Sequence, residues 1–277
     1  MALLDLLQAL PTWLAGTMVC GGMLLLALLG LELVRRLLPD ELRAAHNEIA
    51  GFLIAVVGAI YAVLLAFVAL DTWNDFTEAR HLVGREAAFL GDLIRDAAGL
   101  PEVAGLLRQD LLAYGEMVVT TEWPRMAGGE SPADGMHLLD RIAATLRTHV
   151  AADRGEEVYL ATVVDRLNQL YDARRERVLA ARQGLEPFVW TVLLLGTGIV
   201  LGFSFLFGPR TRAVHRLLCS LLSLSIALVF VLIVAADRPF HGRSRIAPEP
   251  FELIVGRAGD KREESPPIPT GREWAAA

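Results

Sequence analysis

"IAGFLIAVVGAIYAVLLAFVALDTWNDFTEARHLVGREAAFL", residues 49–90, decides how the chain is read. From Ile49 to Leu70 it holds no Asp, Glu, Lys or Arg. At Asp71 the composition turns polar, yet no Gly or Pro interrupts the chain there. Beyond that point Trp73, Phe76, Val83, Ala87, Leu90 and Ile94 recur in steps that mark one face of a helix. The pattern predicts one rod that crosses a bilayer and continues into water. Its apolar face is expected to turn from lipid-facing to helix-facing near Asp71, with Trp73 and Phe76 at headgroup level. Gly99, Leu100 and Pro101 end it.

Three more stretches reach the length of about 20 apolar residues that a bilayer core requires. They are Trp13 to Val34, Pro187 to Phe207 and Leu217 to Ala236. Hydrophobic residues make up 54% of the 277, more than a soluble domain needs. The first stretch does not read as a cleaved signal peptide, because its leading flank has no Lys or Arg and carries Asp5. The expected fold is an all-α integral membrane protein with four transmembrane helices arranged as two hairpins. Residues 1–70 form the first hairpin, 71–186 a helical extramembrane block, 187–236 the second hairpin and 237–277 a polar tail with a disordered end.

Within the block, a helix over 102–121 is expected to stop at Glu122, Trp123 and Pro124. Ser131 or Asp134 is placed to cap a third helix that runs to about Val150. A fourth spans Glu156 to Gln183. Its apolar or aromatic residues at Leu160, Val164, Leu167, Tyr171 and Val178 repeat at near-heptad spacing.

The chain shows no Gly-x-Ser-x-Gly, phosphate loop, His-Glu-x-x-His or Cys-x-x-Cys, so no enzyme chemistry and no cofactor are expected. His46, His81, His137 and His149 lack metal-ligand spacing, and no metal site is expected. Cys20 and Cys219 sit in apolar stretches and read as small packing residues. A net charge of −6 argues against a nucleic-acid partner. Thr191, Thr197, Ser204, Ser220, Ser223 and Ser225 are the hydroxyls of the last two apolar helices, expected to bond helix carbonyls or a neighbouring helix.

Two patterns in the second helix carry functional weight. Gly51, Ala55, Gly58, Ala62 and Ala66 form a small-residue stripe. Such a stripe serves close helix packing in lipid or the wall of a pore, and the two are compatible around an oligomeric axis. Asp71, Asp75 and Glu78 form an acidic strip just past the apolar run. It reads as a solvated face or, in a ring, as a vestibule that concentrates cations.

The segments "HNEIAGFLIAVVGAIYAVLLAFVALDTWNDFTEARHLVGREAAFLGDLIRDAAGLP" (46–101), "YGEMVVTTEWPRM" (114–126) and "RRERVLAARQGLEPFVWTVLLLGTG" (174–198) together resemble the bestrophin-like domain family. More distantly they resemble the bestrophin anion channels. The likeness runs over most of 46–240, with Trp73, Phe76, Arg80 and Glu86 as the matching motif positions. It implies an ion channel, a homo-oligomer of about five subunits with the second helix lining its pore, and small ions as what passes. Departures are visible. Val68 and Ala69 stand where bestrophins place Arg and Asn. After Pro239 and Phe240 only Glu249 and Glu252 remain of the acidic cluster that holds calcium in animal channels. Calcium gating is not carried over.

A non-conducting membrane scaffold or sensor, acting through its helical block, is the alternative reading. Orientation has two answers. Arg35, Arg36, Arg43, Arg210, Arg212 and Arg216 in the short loops favour those loops inside. The family resemblance implies the reverse, with the termini and the 71–186 block in the cytoplasm of a multi-pass protein of the bacterial inner membrane, and this orientation is the one adopted.

Overall fold

A computed structural model describes residues 10–39, 43, 47–130, 132, 135–207, 211–242 and 245–263. His46, Ser131, Asp134 and the end of the tail lie outside the described residues. Among the described residues every regular element is helical.

Helix α1, Thr12–Leu37, starts after Pro11 and ends with Arg35 and Arg36 in its last turn, where cations meet the negative pole of the helix dipole. Helix α2, Asn47–Asp96, is unbroken for 50 residues, about 75 Å at 1.5 Å per residue. A 3₁₀ turn, Ala97–Gly99, closes it. The expected single rod is therefore present. Its apolar face does not change role at Asp71, however. One row of positions is buried throughout: Tyr61, Leu65, Ala69, Thr72, Phe76, Ala79, Val83, Ala87 and Leu90. What changes at Asp71 is the exposed side, from aliphatic to charged.

Helix α3, Ala104–Met117, does not stop at Glu122 and Trp123. It passes through a π-helical turn, Val118–Glu122, into a short helix α4, Trp123–Ala127. The wide turn breaks the i→i−4 ladder just where Pro124, in the first turn of α4, has no N–H to give. Helix α5, Met136–Thr148, begins after Gly135 with no side-chain cap. Helix α6 is Arg154–Ala180, α7 Pro187–Phe205 and α8 Arg212–Ala236. Helix α9, Glu249–Glu263, falls in the stretch expected to be a polar tail. Four helices are long and apolar enough to cross a membrane: Trp13–Leu37, the apolar part of Asn47–Gly99, Pro187–Phe205 and Arg212–Ala236.

The chain divides into two compact units, one of residues 1–80, 127–129 and 179–246, the other of 81–126, 130–178 and 247–277. In the first, α8 packs along α1 and α7 against both. Leu31, Leu193, Phe205, Ile226, Phe230 and Ile233 share one core with Tyr61, Leu65 and Ala69 of α2. Lipid is as apolar as this core, so close packing and internal hydrogen bonds hold it, not exclusion of water. The Tyr61 hydroxyl donates to the Leu193 carbonyl at 2.9 Å and lies 2.6 Å from Thr197 Oγ1. A Cβ on Gly196 would run into the Tyr61 ring, so glycine there admits the close approach of α2 to α7. Thr191, Thr197, Ser204 and Ser225 bond back to carbonyls of their own helices, as expected.

In the second unit α5 and α9 both pack on α3. Leu90, Leu93, Leu100, Leu107, Leu111, Leu139, Ile142, Leu170 and Phe251 are fully buried. The α6 stripe expected from apolar spacing is only partly right. Leu167 is buried, but Val164 is exposed, and the buried positions are Glu156, Val163, Leu167, Leu170, Ala173, Arg174, Arg177 and Ala180. Two arginines complete that face, so hydrophobic periodicity alone pointed to the wrong one.

Candidate functional site

Helix α2 presents two sides within the first unit. Tyr61, Leu65, Ala69, Thr72, Phe76 and Ala79 face inward. At 100° per residue, Gly51, Ala55, Gly58, Ala62 and Ala66 lie on the adjoining side. Ala55, Ala62 and Ala66 are exposed, and a Cβ on Gly58 would meet nothing within 4 Å. A Cβ on Gly51 would meet the Phe207 ring at 3.8 Å. Packing among the described residues therefore does not explain why this stripe is small.

Trp73 and Arg80 continue the same side of the helix, and they meet on a shared ring. Trp73 stacks on Phe76 with ring centroids 6.0 Å apart and planes 22° from parallel. The Arg80 guanidinium stands 5.3 Å from the Phe76 centroid. Spacings of three and four residues bring these side chains together, and the contact is a cation–π stack. Asp71, Asp75 and Glu78 are all exposed, but helical geometry sets them on the far side from the small-residue stripe.

Glu86, the fourth motif position, belongs to the core of the second unit. It sits in a fully buried charge network that hydrophobic patterning did not reveal. Arg177 Nε donates to Glu86 Oε2 at 2.5 Å and its Nη2 to Glu86 Oε1 at 3.1 Å, a bidentate pair. The same Nη2 donates to Glu122 Oε2 at 2.6 Å, and Arg174 Nη2 to Glu122 Oε1 at 2.6 Å. Two guanidiniums thus face two carboxylates. The Tyr114 hydroxyl donates to Glu86 Oε1 at 2.5 Å and the Gly135 N–H to Glu122 Oε1 at 3.0 Å. Trp123 covers the assembly, its ring centroid 5.3 Å from Arg177 Cζ.

Burial alone would drive a proton off Arg177, but the carboxylates of Glu86 and Glu122 outweigh it and hold the guanidinium above its ordinary range. Burial and then Glu86 push the Tyr114 phenol well above its usual range. The elements dictate the geometry. The π-helical turn aims Glu122 inward, and a Cβ on Gly135 would come within 2.7 Å of its carboxylate. A Glu and an Arg of two segments quoted for the family, joined by a third segment's Glu-Trp-Pro, were the available signal for this network. Among the described residues no group of His, Cys, Asp or Glu is placed to hold a metal ion.

The helical membrane architecture agrees with comparison to known proteins. A family model for the bestrophin-like domain matches residues 21–251, and the chain belongs to that family. Its fold is similar to a mutant form of a bacterial bestrophin homolog from Klebsiella pneumoniae, at 15% identity and a TM-score of 0.66 over 88% of this chain and 99% of that one. A structure of the bacterial bestrophin homolog from Klebsiella pneumoniae obtained by Zn-SAD phasing is 16% identical, with a TM-score of 0.64 over 88% and 98%. At such identities the likeness is one of fold. No curated protein matches the chain. The protein is thus an all-helical, bestrophin-like membrane protein.

Proposed function

We propose that the protein is an oligomeric ion channel in which α2 lines the path. The observation that carries this reading is the uncovered small-residue side of an unbroken helix. Ala55, Ala62 and Ala66 are exposed and an added Cβ on Gly58 would meet open space, while the adjoining row is packed. Copies of α2 set around an axis would cover that side and leave a narrow apolar passage, which gates by wetting and dewetting. The fold shared with the bestrophin homolog and the family's resemblance to anion channels support it. A ring of about five subunits is the assembly proposed.

Trp73 and Arg80 continue the lining toward the mouth. Asp71, Asp75 and Glu78, on the far side of the helix from the stripe, face away from the path in this arrangement. We also propose that the chain divides at 70, 186 and 236, lies in the bacterial inner membrane and holds its termini and its 71–186 block in the cytoplasm. The test is current through a planar bilayer holding purified protein, with Ala62→Trp beside it. Wild type should conduct. The variant, which puts an indole into the narrow passage, should be silent at unchanged particle size. Silence of both across ions, voltages and pH would refute the proposal.

A further inference from the structure

Within the first unit a cavity of about 1210 Å³ lies beside the start of α7 and the end of α8. It exceeds the ≈ 300–1,000 Å³ usual for small-molecule pockets. Its wall is apolar, made by Met18, Met23 and Leu26 of α1, Leu194 of α7 and Val234 of α8. From Met18 to Leu26 the wall runs about 12 Å along α1 at 1.5 Å per residue. Trp190 and Phe230 form its floor, their ring centroids 6.3 Å apart. Phe230 and Val234 are buried, whereas Met18, Leu26 and Leu194 are 46%, 69% and 57% exposed. All three helices are long and apolar enough to cross a membrane, so the open side faces hydrocarbon.

The wall suits a flexible chain. Gly22 lies one helical turn from both Met18 and Leu26 on the same face of α1, and it lines the cavity. A Cβ added there meets nothing within 4 Å, so glycine at this position leaves room in the recess and is not demanded by a packed neighbour. Met18 and Met23 beside it are unbranched and fit irregular hydrocarbon. The rim carries both signs of charge. Arg182 and Arg238 stand with Glu186 and Asp237, as many carboxylates as guanidiniums. Asp237 accepts the Leu185 N–H at 2.6 Å, and Arg238 and His241 have partners of their own. The rim therefore does not single out an anionic or a cationic headgroup.

We propose that this cavity is a hydrocarbon-chain site for a membrane lipid of no net charge. One acyl chain lies along α1 between Met18 and Leu26, and the apolar wall, not the rim, holds it. The bilayer supplies hydrocarbon at the open side. A chain in the recess gives the wall dispersion contacts that the protein alone does not supply. Charge decides the kind of lipid. An anionic headgroup would meet Glu186 and Asp237 as well as the arginines, and what it gained from one sign it would lose to the other. A headgroup of no net charge pays no such penalty. The site does not depend on conduction, so it stands or falls apart from the channel proposal.

Purified full-length protein is stripped of lipid in detergent and incubated with dioleoyl-phosphatidylcholine, dioleoyl-phosphatidylglycerol, monoolein or dihexanoyl-phosphatidylcholine. Retained lipid per subunit is read by native mass spectrometry. Dioleoyl-phosphatidylcholine should be retained at least as well as the glycerol lipid, and monoolein, uncharged with the same chain, should displace it. The short-chain lipid should be retained at least about tenfold less, since contact with about two methylenes is already worth that factor. Gly22→Phe should cut retention of dioleoyl-phosphatidylcholine about tenfold for the same reason. Gly22→Leu should act in the same direction and serves where the larger side chain prevents folding. Leu29→Phe, on an exposed part of α1 outside the cavity, should change nothing. A clear preference for phosphatidylglycerol, equal retention of the short-chain lipid, or unchanged retention in both Gly22 variants would each overturn the site. So would equal loss in Leu29→Phe, or a change of particle size in place of lipid loss in the Gly22 variants, which would give the cavity to a second copy of the chain.

Discussion

Arg177 and Glu86, 91 residues apart in sequence, meet as a bidentate ion pair with both side chains fully excluded from solvent. Such a pair is costly to assemble and costlier to break. Removing one partner strands the other as a buried charge, at about 3–5 kcal/mol. Glu86→Ala should therefore lower the thermal midpoint of the purified protein sharply. The double change Glu86→Leu with Arg177→Met should recover part of that loss, since it leaves Glu122 paired with Arg174 and no unmatched charge, though the Tyr114 hydroxyl loses its acceptor. Intrinsic tryptophan fluorescence is well placed to follow the melt, because Trp123 covers the guanidinium. A mild single variant would mean the pair is not buried as described.

Tyr114 gives the same network a pH signature. Its phenol is held above the ordinary value near 10, first by burial and then by Glu86. A group whose folded pKa is raised contributes stability that is full below its unfolded pKa and lost as pH rises through the folded one. Stability from Tyr114 should thus be flat up to about pH 10 and fall above it. Tyr114→Phe should cost about 1–3 kcal/mol by leaving Glu86 Oε1 one donor short. It should also flatten the alkaline limb. Circular dichroism melts between neutral pH and strong alkali, wild type against variant, would check both.

The continuity of α2 across residue 74 predicts a strong asymmetry between two substitutions. Proline in a helix interior costs about 3 kcal/mol or more, because it deletes a hydrogen bond and clashes with the preceding turn. Asn74→Pro should damage assembly and abolish current, whereas Asn74→Ala should be mild. Both should still insert, since the apolar run ends at Leu70. Oligomer size in detergent is the readout. Identical, wild-type behaviour of the two would place a loop where the helix runs.

Gly196 makes a further prediction about close approach. A Cβ there collides with the Tyr61 ring, whose hydroxyl is anchored on α7. Gly196→Ala should destabilise the fold. Tyr61→Leu, which shortens the side chain and frees its anchor, should make the second change less damaging. A double-mutant cycle in thermal stability would expose that coupling as a clear departure from additivity.

These predictions mark what was legible in the chain. The four membrane helices follow from apolar length, and the unbroken α2 from the missing breaker at Asp71. The buried charge network was not legible, because Arg174, Arg177, Glu86 and Glu122 read as solvated polar residues in any periodicity count. Only the fold supplies each with its partner. Pro124 reads as a stop in sequence, because the π-helical turn that accommodates it has no sequence signature as strong as proline's own. Helix α9 hid in a stretch whose mean character is polar, though Phe251 packs against Trp123 with centroids 6.0 Å apart.

The central claim is that the small-residue side of α2 faces a conducting path. The most direct measurement is current through reconstituted channels carrying one cysteine, on a background with Cys20→Ala and Cys219→Ala. Ala62→Cys should lose current when a charged thiol reagent is added, as expected of a side chain that lines the proposed path. Ile60→Cys, 67% exposed on another side of the same helix, should be unaffected. No change at position 62, or equal loss at both positions, would contradict the account.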